Sequence, residues 1–193
     1  DVLTALGACA TASLAGCTGL GDRRSLNPPD VLADSPTSLV WTFPADAPDG
    51  EAVVEVFLDQ RSFVPTDDPT AAVRFRFGAT VFGHSDYRHD RVTARFRAPA
   101  WPDGDTSAVP LFVAPPGGGQ STRVRREGRE TVVVLDDLDT TGTIHFEFTA
   151  APRTGAMPER LGYEFAVSAT RPGLTGGTAV ASETGTMGIA REQ

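Results

Sequence analysis

The stretch Arg91–Ala98, RVTARFRA, is the clearest guide to the fold of this chain. Apolar residues stand at every second position, and threonine or arginine fills the positions between them. Successive side chains of a β-strand point to opposite faces, so this pattern predicts a strand with one buried and one solvated face. The same alternation recurs in Ala72–Phe77, AVRFRF, and in Thr143–Thr149, TIHFEFT.

Six further segments beyond residue 38 read as strands, at 38–43, 52–59, 109–114, 131–135, 162–170 and roughly 178–189. Gly, Pro and Asp cluster between them, and no window carries a sustained helical stripe. The sequence therefore predicts an all-β fold, an antiparallel β-sandwich of about eight to ten strands. Its length and strand spacing resemble those of immunoglobulin-like sandwiches. Trp41 is a candidate core residue.

The composition is acidic and contains no lysine. The 193 residues carry 25 Asp and Glu against 17 basic residues, all arginine, for a net charge of −8. Such a surface repels nucleic-acid phosphates, so nucleic-acid binding is set aside. This acidic, lysine-free composition resembles that of proteins from halophilic archaea. A GC-rich bacterial genome is the alternative explanation.

The beginning of the chain has a different character. Residues 2–16 are apolar or small, and the run is too short to span a bilayer. It ends in Leu14-Ala15-Gly16-Cys17, which closely resembles the lipobox of bacterial and archaeal lipoproteins. That resemblance implies a lipid on the Cys17 thiol. Residues 1–7 are similar to the segment after the arginine pair of twin-arginine signals. A buried N-terminal helix with two ordinary cysteines is the alternative.

This interpretation divides the chain into three regions. Residues 1–17 are a signal remnant, 18–37 a flexible tether rich in Pro, Asp and Gly, and 38–193 the β-sandwich domain. Both cysteines, Cys9 and Cys17, lie in the first region, so a cleaved chain has no disulfide. We expect no cofactor beyond the covalent lipid, and a location on the outer face of the cytoplasmic membrane.

One candidate site is the segment His84–Asp90, HSDYRHD, which holds two of the three histidines. Imidazole and carboxylate are ligands that zinc, manganese or iron accept. A tight loop would direct His84, Asp86 and His89 at one ion. The alternative is a polar turn between two strands, where Gly, Ser and Asp are common.

A second candidate is a set of four arginines. If Ala72–Gly83 and Arg88–Ala98 form a hairpin, their outward arginines share one sheet face. Guanidinium groups grip sulfate, phosphate and acidic sugars, so the hairpin would present an anion site. Its members are Arg74, Arg76, Arg95 and Arg97. The alternative is that acids on neighbouring strands neutralise them, with Glu55, Glu147 and Glu164 as candidates.

The motifs of common hydrolases are missing from the sequence: it contains neither G-x-S-x-G nor H-E-x-x-H. The favoured interpretation is a non-enzymatic binding or surface-interaction module with a protein or polysaccharide partner. Two alternatives remain open. One is a metal-binding protein or metal-dependent enzyme centred on His84–Asp90, and the other is an accessory subunit of an envelope complex.

Overall fold

The computed structural model describes residues 23–26, 28–44, 51–97, 110–114, 121–152, 155–173 and 176–192. Twelve β-strands and one short 3₁₀ turn, Gly83–Ser85, make up the regular structure of these residues. The strands are β1 Arg23–Ser25, β2 Asp30–Ser35, β3 Ser38–Pro44, β4 Ala52–Gln60, β5 Val73–Val81, β6 Arg88–Arg97, β7 Leu111–Ala114, β8 Ser121–Glu127, β9 Glu130–Asp136, β10 Gly142–Ala150, β11 Arg160–Thr170 and β12 Thr178–Gly188.

The strands form two six-stranded sheets. Sheet I has the order β1-β12-β11-β6-β9-β8, and sheet II has the order β2-β3-β4-β5-β10-β7. All neighbouring strands are antiparallel except β1 and β12, which run parallel. The predicted all-β antiparallel sandwich is confirmed, with twelve strands in place of eight to ten.

Aromatic side chains on the inward faces join the two sheets. Phe165 of β11 contacts Trp41 and Phe43 across the sandwich, with ring centroids 5.1 Å and 6.2 Å away. Phe96 of β6 lies 4.3 Å from Phe148 of β10. Trp41 is buried, which confirms it as a core residue. The two-fold alternation read from the sequence is therefore the pattern that builds the core.

The predicted tether 18–37 is wrong over part of its length, because β1 and β2 lie inside it. β1 pairs with Thr178–Val180 of β12, and β2 pairs with β3. Pro28 and Pro29 disfavour a strand at their own positions, but they stand between the two strands, where no ladder hydrogen bond is required of them. Among the described residues, the folded domain begins at Arg23 rather than Ser38.

The predicted hairpin of Ala72–Gly83 with Arg88–Ala98 is also wrong. β5 belongs to sheet II and β6 to sheet I, so the chain crosses from one sheet to the other between them. The 3₁₀ turn makes this crossing and ends at Asp86, whose φ of 58° is in the left-handed region. β5 pairs instead with β4 and β10, and β6 with β11 and β9.

The proposed signal remnant, including Cys9 and Cys17, and residues 18–22 of the tether lie outside the described residues. In the part of the chain that is described, no helix is long and apolar enough to cross a membrane.

Candidate functional site

A cavity of about 360 Å³ lies at the end of the sandwich where three connections meet. The connections are those from β5 to β6, from β9 to β10 and from β11 to β12. Residues from all three line the cavity, among them Gly83, Asp86, Tyr87, Arg88, Thr141 and Arg171. It therefore contains part of the predicted site segment His84–Asp90, but joins it to residues far away in sequence.

Arg171 and Tyr87 together form one wall of the cavity. The guanidinium carbon of Arg171 lies 4.8 Å from the centroid of the Tyr87 ring, a cation–π contact. Tyr87 is buried and belongs to the core cluster, whereas Arg171 is exposed. The Arg171 backbone N–H donates to the Gly177 carbonyl at 2.9 Å. A buried ring thus lies beside an exposed guanidinium group.

Arg88 supplies a second guanidinium. Its Nη1 lies 3.3 Å from Oδ1 of Asp139, and both side chains are largely exposed. An exposed ion pair of this kind contributes about 0–1 kcal/mol, so an incoming anion can compete for Arg88 at little cost. The cavity wall also contains Asp86, whose carboxylate repels an anionic group placed beside it. The cavity therefore favours a ligand whose anionic groups are separated by neutral ones.

His89 attaches the β9–β10 connection to β6. Its backbone N–H donates to the Thr140 carbonyl at 2.7 Å, and its Nε2 lies 2.9 Å from the Gly142 carbonyl oxygen. The side chain is fully buried, and its Nδ1 has no hydrogen-bond partner among the described residues. Burial lowers the pKa of His89 from its ordinary value, and the Gly142 hydrogen bond opposes this effect.

The structure does not bring the predicted metal ligands together. His84 is half exposed, stacks on Phe82 and places its Nε2 3.1 Å from the Ala52 carbonyl oxygen. Asp86 is exposed, and His89 points into the core. Among the described residues, no group of three His, Cys, Asp or Glu is placed to hold a metal ion.

A bulge explains why His89 points inward. Across from β6, Ser168 pairs with Arg91 and Ala169 pairs with His89, so Asp90 is an extra residue in β6. The extra residue reverses the alternation, and His89 and Val92 therefore share the buried face. Alternation counted back from Val92 without the bulge would place His89 on the solvated face.

The four predicted arginines also divide into two pairs that do not meet. Arg74 and Arg76 lie on sheet II, while Arg95 and Arg97 lie on sheet I, so the predicted shared anion site does not exist. The physical reason is the crossing between β5 and β6.

Acids neutralise Arg76 and Arg95, as the alternative interpretation held, but their ion-pair partners among the described residues are not Glu55, Glu147 or Glu164. Arg76 pairs with Asp59 at 3.0 Å, and Arg95 pairs with Glu127 at 2.7 Å and Glu130 at 3.5 Å. The Arg95 hydrogen bond lowers the pKa of the Glu127 carboxyl. Of the acids named from the sequence, Glu147 is the register partner of Arg76 and Glu164 that of Arg95.

Sequence reasoning missed Arg171 and Tyr87 as a pair. Tyr87 lies in the segment singled out for metal binding, but its ring carries no metal-ligand signal. Arg171 follows β11, more than eighty positions later, and nothing local distinguishes it from other exposed arginines. Only the topology of sheet I, in which β6 and β11 are neighbours, brings them together.

Comparisons with known proteins give remote structural likenesses. No family model matches the chain, and no curated protein matches it. A DUF4466 family protein from Parabacteroides merdae is 12% identical, with a TM-score of 0.38, over 71% of this chain and 44% of that one. The major pilin subunit BcpA of Bacillus cereus is 10% identical, with a TM-score of 0.40, over 79% and 48%.

A collagen-binding domain from a Staphylococcus aureus adhesin is 10% identical, with a TM-score of 0.34, over 65% of this chain and 95% of that domain. The chain spans less than half the length of the DUF4466 protein and of the pilin. Likeness at this level is too remote to assign a function.

Proposed function

We propose that this chain is a non-enzymatic binding module, held on the outer face of the cytoplasmic membrane by a lipid on Cys17. The lipobox-like Leu14–Cys17 motif supports the anchor, and the uncharged run before it supports export. A diacylglycerol group carries two acyl chains, which is enough for stable anchoring. The cavity at the end of the sandwich is where we place its ligand contact.

The cavity is suited to a partner that carries carboxylate groups, such as an acidic polysaccharide. The observation that carries this proposal is the Arg171 guanidinium, held 4.8 Å above the Tyr87 ring at the edge of a cavity that also exposes Arg88. Two guanidinium groups grip carboxylates through charge-assisted hydrogen bonds, and the ring limits the rotamer freedom lost on binding. The uncharged parts of the sugar rings can lie beside Asp86 without charge repulsion.

We expect Arg171→Gln to weaken binding of polygalacturonate about tenfold or more, because a charge-assisted hydrogen bond contributes about 1.5–3 kcal/mol. Isothermal titration at fixed ionic strength measures the change. Arg160→Gln is the matched control: Arg160 is exposed at the opposite end of β11, away from the cavity. Equal binding by both variants, or equal binding of neutral dextran, contradicts the proposed ligand site.

We expect Cys17→Ser to move the protein from the membrane fraction to the soluble fraction when it is expressed in a host that attaches lipids. The serine hydroxyl cannot accept the lipid as a thioether, so the anchor is lost. Cys9→Ser is the control and should remain with the membrane. Retention of Cys17→Ser in washed membranes would contradict the anchor without bearing on the ligand site.

A further inference from the structure

The two lateral edges of sheet I carry opposite charges. We propose that copies of this chain associate head to tail through these edges, with β8 of one copy adding to β12 of the next. This interface is separate from the cavity and does not depend on the proposed ligand or anchor.

Most of the outer edge of β12 lacks a partner strand among the described residues. β1 pairs with Thr178–Val180, and within the described ranges no strand pairs with the outer side of Glu183–Gly188. The backbone N–H of Thr184 donates instead to Oε1 of its neighbour Glu183 at 2.9 Å. A side chain thus holds a donor that a strand would otherwise take, and it can be displaced by an incoming carbonyl.

The side of the sandwich beside this edge is acidic and aromatic. Glu183 lies on the inward face of β12, in line with the buried Ala181 and Met187. Tyr163 lies over Gly185, where an added Cβ would stand 2.5 Å from the Tyr163 hydroxyl. Burial raises the pKa of Tyr163 to about 12, and the nearby carboxylates of Glu183 and Asp34 add to the rise. Glu183 lies two positions before Gly185, the register partner of Tyr163, on the same face of β12.

The opposite edge of sheet I is basic. β8 pairs with β9 alone among the described strands, and nearly all of its residues are exposed. Arg123 and Arg125 are tied to Asp136 and Glu127 on the outward face.

The inward face of β8 is different. It presents Val124, which is 49% exposed, and Arg126, whose register partners are Val133 and Thr131 of β9. No ion pair joins Arg126 to an acid within the described part of the chain. A half-exposed apolar residue and a cation thus stand two positions apart on one face of an edge strand.

The directions of the strands allow the two edges to meet. Four antiparallel steps separate β12 from β8 in sheet I, so the two strands run the same way. A translation along the sheet, combined with a rotation that continues the sheet twist, therefore sets β8 parallel to the next β12 and keeps both inward faces on the same side. Val124 and Arg126 then lie on the side of Tyr163 and Glu183. This edge already accepts a parallel strand, since β1 pairs with it in that direction.

Charge also selects which edges meet. Charged residues on edge strands commonly prevent association, and they do so here for β8 against β8 and for β12 against β12. The pairing of β8 with β12 instead brings Arg126 to Glu183, and is favoured. Because the two surfaces differ and the operation combines a translation with a rotation, the assembly is open-ended and helical rather than a closed dimer.

Sedimentation velocity of the 193-residue chain over a wide range of concentration tests the proposal. We expect the weight-average mass of the wild type to rise past the dimer without a plateau. Arg126→Glu and Glu183→Arg should each weaken association about tenfold or more, as expected for the loss of a close charge pair. The double variant, with both charges exchanged, should recover it. Arg129→Glu, in the exposed β8–β9 turn, is the matched control and should behave as wild type.

Three results would overturn the proposal. They are a monomer at every concentration, a mass that stops at the dimer, and association that Arg126→Glu and Arg129→Glu reduce equally. Circular dichroism of each variant tests whether its sheets remain folded. A variant that unfolds is replaced by Val124→Glu, which places an acid on the same exposed inward face of β8 and should also weaken association.

Discussion

Phe165→Ala lowers the free energy of unfolding by about 3–5 kcal/mol, the range for Phe replaced by Ala in a packed core. Phe165 is 2% exposed and lies at the centre of the sandwich. Its ring is 5.8 Å from Phe77 of sheet II and 6.4 Å from Tyr163 on its own strand, in addition to the contacts with Trp41 and Phe43. Removing it leaves a cavity between the sheets that stiff strands cannot close.

Urea unfolding followed by tryptophan fluorescence measures this loss, because Trp41 packs directly on Phe165. Phe112→Ala is the matched control: it removes the same atoms from β7, where Phe112 is 58% exposed. We expect the control to change stability by no more than about 0.5 kcal/mol, the usual range at exposed positions. Similar losses at the two positions would mean that Phe165 does not lie in the core.

The protein loses stability as the pH falls below about 6.5, because His89 is buried and uncharged. Its pKa in the folded state is lowered from the ordinary value of 6.5. Below 6.5 the unfolded chain therefore binds a proton at His89 that the folded chain does not, and the free energy of unfolding declines with falling pH. The decline is at most about 1.4 kcal/mol per pH unit from this group and ends below the folded-state pKa.

Thermal unfolding at a series of pH values measures this slope. His89→Gln should remove this contribution between pH 6.5 and the folded-state pKa while keeping an amide that can donate to the Gly142 carbonyl. His145→Gln is the control, since His145 lies on the exposed face of β10. If His89→Gln keeps the wild-type slope over that interval, proton uptake by another group is responsible.

The strands of the core could be predicted because their alternation is local. Arg91–Arg97 and Thr143–Thr149 each bury one face, and a period of two is visible in any such segment without knowledge of its partners. β1 and β2 could not be predicted because they lack this local pattern. β1 is three residues long, and β2 is an exposed edge strand with a bulge, so neither displays a regular buried face.

The site could not be predicted because it depends on topology. A hairpin and a crossing between sheets require similar connecting sequences, so the sequence does not distinguish them. The chain crosses between the sheets, and Arg76 and Arg95 therefore lie on different sheets. The bulge at Asp90 then reversed the direction of His89, which no count of alternating residues reveals. Arg171 meets Tyr87 through the pairing of β11 with β6, a contact between distant parts of the chain.

The parallel pairing of β1 with β12 bears on how the protein folds. It joins Arg23–Ser25 to Thr178–Val180, the first and last strands of the described chain, across more than 150 residues. During synthesis β1 leaves the ribosome long before its partner exists, so its edge of sheet I forms after β12 is made. Together with the other distant pairings, this gives a high contact order, and we expect folding in milliseconds to seconds rather than microseconds.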